Sequence, residues 1–180
     1  LASGLSMPVG FKNGTDGTIQ IAIDAVRSSA QPHHFLSVTK QGLAAIVATA
    51  GNPECHVILR GGSKGPNYSG EQVAQVVEKL EAAQVPAKLM IDCSHANSGK
   101  KFERQPEVLA EVARQISAGS HAIFGLMLES FLLDGRQDHE KGKELAFGQS
   151  ITDACMGWER TEPLFEALAQ AVRKRREAAR

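Results

Sequence analysis

Four apolar runs, each followed by an amphipathic helical pattern, constrain this chain more than anything else in it. "PVGFK" (8–12) precedes a helical stretch with Ile19, Ile23 and Val26 on one face. "HVILRGG" (56–62) leads into Ser69-x-x-Gln72, a capping box, and then Val73, Val76, Val77 and Leu80 at helical spacing. "AKLMIDCSH" (87–95) is followed by a helix predicted to start near Pro106 and to bury Leu109, Val112 and Ile116. "HAIFGLMLES" (121–130) leads through a polar loop to a helix predicted from Thr161, with Leu164, Leu168 and Val172 on one stripe. Strand-then-helix repetition of this kind calls for a parallel sheet with right-handed crossovers, an α/β fold. "HFLSVTK" and "AAIVATAG", joined at Gln41-Gly42, predict an inserted β-hairpin between the first two units.

Four such units make half of an eightfold barrel, which needs about 250 residues. The chain has 180 residues and opens on Leu1. A single domain over 1–180 is therefore expected, either a small open α/β sheet or the C-terminal part of a (β/α)8 TIM barrel, the non-Met start favouring the barrel portion. The apolar share of 42% is enough for a substantial core. Zero net charge gives no electrostatic case for nucleic acid or an anionic membrane surface. Cys55, Cys93 and Cys155 form no CxxC pair, which suits a reducing compartment. With no apolar run of about 18 residues and no signal-peptide pattern, no membrane contact is expected and a cytoplasmic location is. The basic run 173–180 reads as a solvated last helical turn, favoured by the helix dipole.

Every predicted strand hands a charged or titratable group to the same edge of the sheet: Lys12, Arg60, Asp92 with His95, and Glu129. In parallel sheets that edge is where active sites are built. His95, Glu129 and Asp153, the last in "GQSITDAC", are candidate ligands for one divalent metal ion. One imidazole and two carboxylates suit Mn, Fe, Co or Zn. A carboxylate at the end of "IFGLMLE" needs a cation or a proton to justify its apolar setting. Lys12 in "GFKNGTDG" and Arg60 in "ILRGGSKGPNYS" stand beside glycine-rich loops that lead into helix N-termini, an arrangement for a substrate bearing phosphate and carboxylate. Taken singly, Lys12, Arg60 and His95 would be ordinary surface or core residues, and Asp153 an ordinary turn cap. Lys64 reads as a loop cation, the histidines at 33, 34, 56, 121 and 139 as structural or solvent-facing, and Trp158 as a packing anchor for the last helix.

Taken together, "PVGFKNGTDGT", "FLSVTK", "HVILRGG…PNYS", "MIDCSHANS", "GLMLES" and "SITDACMGWE" resemble class I 3-deoxy-D-arabino-heptulosonate 7-phosphate (DAHP) synthase, in its microbial, feedback-regulated branch. The matches run from end to end of the chain, as in the C-terminal half of that enzyme. The resemblance implies a metal-dependent barrel that condenses phosphoenolpyruvate with erythrose 4-phosphate, releases phosphate and opens the shikimate pathway to aromatic amino acids. By motif position, His95, Glu129 and Asp153 match three of the family's four metal ligands. Lys12 and Arg60 match residues that hold phosphoenolpyruvate, and Lys12 and His95 are the catalytic candidates. The fourth ligand, a cysteine, and the loop that binds the sugar phosphate would lie upstream, so these residues alone are expected to be inactive. Leu1, Leu5, Phe35, Ser37 and Val47 occupy places matching the family's inhibitor pocket, which implies an aromatic amino acid as feedback ligand. A homo-oligomer is likewise implied. The competing readings are 3-deoxy-octulosonate 8-phosphate synthase, acting on arabinose 5-phosphate, a metal-dependent hydrolase on a similar barrel, and a non-catalytic binding or assembly fragment.

Overall fold

The computed structural model describes residues 1–178; the last two residues of the predicted basic turn, 179 and 180, lie outside it. A four-stranded, all-parallel sheet runs β1 (Val9–Lys12), β4 (Cys55–Leu59), β5 (Leu89–Asp92), β6 (Ile123–Met127) in that spatial order. The strands therefore neighbour one another in chain order, apart from the hairpin β2 (His33–Val38) and β3 (Ala44–Thr49), which forms its own antiparallel sheet. The predicted hairpin is present, with Gly42 in the left-handed region at φ 81° in its turn.

Helices α1 (Gln20–Ser29), α2 (Gly70–Ala82) and α3 (Gln105–Ser117) connect the strands. Each buries the face its spacing predicted: Ile23 and Val26, then Val73, Val76 and Leu80, then Leu109, Val112 and Ile116. The Ser69/Gln72 capping box is formed in both directions and satisfies two otherwise orphan backbone donors of α2. Together with Val57, Leu59, Leu89, Ile91 and Ile123 these side chains make one core. Truncating any of the fully buried leucines to alanine would cost about 2–5 kcal/mol.

The last helix, α4 (Trp158–Ala178), begins three residues before the predicted Thr161. Asp134 Oδ1 accepts the Gly157 N–H at 2.5 Å, and Asp134 Oδ2 the Arg160 Nε–H at 2.7 Å, so a residue far back in the chain organises this helix start. Trp158 is 48% exposed and tilts against Phe165 rather than anchoring the helix in the core. Strand lengths also differ from expectation. β4 stops at Leu59, β5 at Asp92 and β6 at Met127, so Arg60, His95 and Glu129 lie in the turns just past the pairing. Among the described residues no helix is long and apolar enough to cross a membrane.

Candidate metal centre

At the carboxyl edge of the sheet, His95, Glu129 and Asp153 place one ligand atom each within 4.8 Å of one another. His95 is there because of how β5 ends. Asp92, fully buried, accepts the Ser94 N–H at 2.9 Å and the Ser94 hydroxyl at 2.7 Å on Oδ1, which pulls the chain into a tight turn. His95 follows with φ 53°, a left-handed conformation uncommon outside glycine. The ring then stands with Nδ1 2.6 Å from Ser94 Oγ and 2.9 Å from Asp92 Oδ2, and Nε2 3.6 Å from Glu129 Oε1.

Glu129, two residues past β6, is held by its backbone. The Gln105 side chain accepts its N–H at 2.8 Å and donates to its carbonyl at 3.0 Å. Gln105 has no exposed surface and is the first residue of α3, so it fixes the exit of β6 to the neighbouring helix. Burial pushes the Glu129 carboxyl above its ordinary value; nearby His95 opposes this, and the carboxylates of Asp153 and Asp92 add to it. A cation among these groups would relieve the repulsion. The donor set, one imidazole nitrogen and two carboxylates, fits a divalent ion. Asp153 lies on an exposed loop that reaches the others across a cavity of about 260 Å³, whose wall also includes Arg60 and Lys100.

The two cations of the sequence reading are also at this edge. Lys12 Nζ donates to Asp92 Oδ2 at 2.7 Å. Burial pushes the Asp92 carboxyl up, but the hydrogen bonds from Lys12 and Ser94 outweigh it, and the group sits below its ordinary value. Arg60 is oriented through its backbone: Asn13 Oδ1 accepts the Arg60 N–H at 2.8 Å, and Asn67 Oδ1 accepts the Gly61 N–H at 2.7 Å. Asn67 Nδ2 in turn donates to Asn13 Oδ1 at 3.1 Å, and Asn97 Oδ1 accepts the Asn67 N–H at 2.9 Å. Asn97 Nδ2 donates to the carbonyls of Leu59 and Asp92. Asn13 and Asn97 are buried, so three asparagines tie the exits of β1, β4 and β5 into one polar mesh. None of these amides, nor Ser94 or Gln105, stood out in the sequence. The available signal was a run of polar amides directly after apolar runs, in "FKN", "PNYS" and "SHANS".

Cys93 points into the core, has no exposed surface, and is pushed up to about 12 by burial and by Asp92, so it stays a thiol. His33 and His56 have structural contacts, the first to the Ser28 carbonyl and the second edge-on to Phe124. Away from the sheet edge, Leu1, Leu5, Phe35 and Val47 line a cavity of about 580 Å³ between the N-terminal segment and the hairpin. Ser37 is not among its lining residues, although it lies two positions along β2 from Phe35.

These features define a parallel α/β protein with a candidate metal centre and flanking cations at the carboxyl edge of its sheet. The chain belongs to the DAHP synthetase I family, whose model matches residues 1–166. It is 60% identical over 176 residues to the Phe-sensitive phospho-2-dehydro-3-deoxyheptonate aldolase of Escherichia coli K12, covering 98% of this chain and 50% of that protein. It is 55% identical over 181 residues to the tyrosine-inhibited phospho-2-dehydro-3-deoxyheptonate aldolase of Schizosaccharomyces pombe, covering 98% of this chain and 49% of that one. The solved phospho-2-dehydro-3-deoxyheptonate aldolase of Francisella tularensis superposes with a TM-score of 0.91 at 52% identity, over 97% of this chain and 50% of that structure. The chain thus spans about half the length of the relatives it matches.

Proposed function

We propose that this chain is the C-terminal portion of a single-domain (β/α)8 barrel that condenses phosphoenolpyruvate with erythrose 4-phosphate, giving DAHP and phosphate at the entry to aromatic amino acid biosynthesis. The observation that carries this reading is the convergence of His95, Glu129 and Asp153 within 4.8 Å, in a cavity that Arg60 also lines. The barrel reading is supported by four parallel strands paired in chain order and by Phe124, half-exposed on β6, a side chain that further strands would cover. Because half of the relatives' length lies outside these residues, turnover is assigned to the whole protein and none to the 180 residues alone.

In this reading His95, Glu129 and Asp153 hold one divalent ion, Mn, Fe, Co or Zn. Once bound, the ion would supply Lewis acidity at the aldehyde oxygen of erythrose 4-phosphate. Lys12 and Arg60 receive phosphoenolpyruvate, their charges neutralising its phosphate and carboxylate. The reaction joins C3 of phosphoenolpyruvate to the aldehyde carbon, consumes a water and frees phosphate. Lys12 and Arg60 hold the nucleophile at the sheet edge, and His95, oriented through Nδ1 by Ser94 and Asp92, would serve as a ligand that keeps the ion beside it. The cavity beside the hairpin, lined by Leu1, Leu5, Phe35 and Val47, is the proposed feedback site for an aromatic amino acid, in keeping with relatives named Phe-sensitive and tyrosine-inhibited. A cytoplasmic homo-oligomer is the proposed working form.

The test is phosphate release by the full-length protein carrying this chain, given phosphoenolpyruvate, erythrose 4-phosphate and Mn²⁺. Release that needs both substrates and stops with EDTA is the expected result. Release with arabinose 5-phosphate in place of erythrose 4-phosphate, or none in a folded, metal-loaded protein, would overturn it.

A further inference from the structure

Asp92 is absent from the ligand cluster, yet it touches both halves of the site. Its Oδ1 accepts two hydrogen bonds from Ser94, and its Oδ2 accepts Lys12 Nζ at 2.7 Å and lies 2.9 Å from His95 Nδ1. A carboxylate offers about four acceptor positions; Ser94 and Lys12 take three of them and the fourth faces His95 Nδ1, so Asp92 is turned away from the ligand cluster. It is also wholly buried, where its charge is little screened.

The contacts determine the state of the imidazole. Ser94 Oγ lies 2.7 Å from Asp92 Oδ1 and 2.6 Å from His95 Nδ1. A serine hydroxyl has one proton, and the carboxylate can only accept, so that proton points at Oδ1. The oxygen must then accept from the ring, which puts the imidazole proton on Nδ1. In the neutral ring Nε2 then carries the free lone pair, 3.6 Å from Glu129 Oε1, another acceptor. Two acceptors facing each other at that distance call for a cation between them.

We propose that Asp92 is the positioning residue that joins the two halves of the site: through Ser94 it fixes His95 as a metal-ready imidazole, and with the same carboxylate it places Lys12 for the phosphoenolpyruvate anion. Outer partners of this kind orient a ligating histidine and raise its basicity. A carboxylate there only to neutralise Lys12 would not need the serine bridge. The inference rests on the metal and phosphoenolpyruvate reading given above.

Two variants of the full-length protein test it, with Mn²⁺ affinity measured by electron paramagnetic resonance of the free ion. Phosphoenolpyruvate affinity is measured calorimetrically on metal-free protein. Asp92→Asn is expected to weaken Mn²⁺ by ~10–100-fold, the usual effect of losing such a partner, and to weaken phosphoenolpyruvate as well. Ser94→Ala is expected to weaken Mn²⁺ while leaving metal-free phosphoenolpyruvate binding unchanged, because Ser94 does not touch Lys12. In the metal-free wild type, ¹⁵N shifts of the His95 ring should report the proton on Nδ1. Unchanged Mn²⁺ affinity in Ser94→Ala, or a proton on Nε2, would overturn the proposal even if Asp92→Asn fails to fold. A wild-type protein that binds no Mn²⁺ would overturn the metal reading itself, and this inference with it.

Discussion

The exits of β1, β4 and β5 and the exit of β6 solve the same problem in different ways. The first three are tied to each other by buried side chains: Asn13, Asn97 and Asp92 have at most 2% exposure and between them bond Lys12, Arg60, Asn67 and Ser94. The fourth leads into a long loop joined by isolated bridges, Ser130 to Met156, Gly135 to Cys155 and Arg136 to Ser150. That loop leaves Phe131, Leu132, Leu133 and Phe147 exposed and carries Asp153 on its surface. The residues that hold the two cations are therefore built into the interior, while one carboxylate is delivered by a segment with little core of its own. Buried polar networks are expensive when broken; exposed loops are not.

The sharpest way to break this comparison is to change Asp153 and Asn97 in parallel. Asp153→Asn should weaken Mn²⁺ by more than ~100-fold, beyond what loss of an outer partner does. Its unfolding free energy should move by less than about 0.5 kcal/mol, as for other exposed positions. A clear drop in melting temperature for Asp153→Asn would mean the loop is as integral as the mesh. Asn97→Leu leaves the Leu59 and Asp92 carbonyls and the Asn67 N–H without partners. At about 1–3 kcal/mol for each buried unsatisfied group, the loss should reach at least about 3 kcal/mol in urea unfolding. Less than about 1 kcal/mol would remove the mesh as a structural account.

Gln105→Leu probes the junction between the two regions. It removes both bonds to the Glu129 backbone and should cost about 2 kcal/mol, with weaker Mn²⁺ binding as its second effect. Stability lost without any change in Mn²⁺ affinity would separate Gln105 from the candidate site.

The smallest expected effect is in alkali. Burial raises the Cys55 thiol above its ordinary value, opposed in part by Ser29, and Cys93 is pushed further, to about 12. Between the unfolded and folded values the native state keeps a proton that the unfolded chain has lost. This stabilisation is whole below the ordinary thiol range, about 8.5, and falls as pH rises through the raised values. Urea midpoints should drop from pH 9 upward, and Cys55→Ala should show a shallower decline than wild type. Parallel slopes for the two proteins would contradict it.

The same division decides what could be read from the chain beforehand. Hydrophobic period marks strands and helices wherever one face is buried, so the four parallel strands, the hairpin and the inner faces of α1 to α3 were legible. Glu129 was legible because a carboxylate closing an apolar run needs a cation or a proton, whereas His95 and Asp153, ordinary when taken singly, became candidates only beside it. What escaped depends on contacts between residues 30 to 54 positions apart, such as Asn67 with Asn97 and with Asn13. An asparagine after a strand reads as a turn former, and no local pattern names its partner. His95 reads as a strand residue, yet its left-handed turn is imposed by Asp92 and Ser94. The early start of α4 had the same origin, in an aspartate twenty-three positions before Gly157.

The glycines after β4 add a last consequence. A Cβ on Gly61 would stand 2.8 Å from the Ala96 carbonyl carbon, and one on Gly62 would stand 2.4 Å from the Gly17 nitrogen. Three connecting loops thus come close enough for main chain to meet main chain at these glycines. Such a junction transmits displacement like meshed gears: none of the three can swing as a separate flap, and lengthening one would jam the others. Natural changes in loop length should therefore accumulate at 130–157, which is where a lineage could retune this protein without dismantling it.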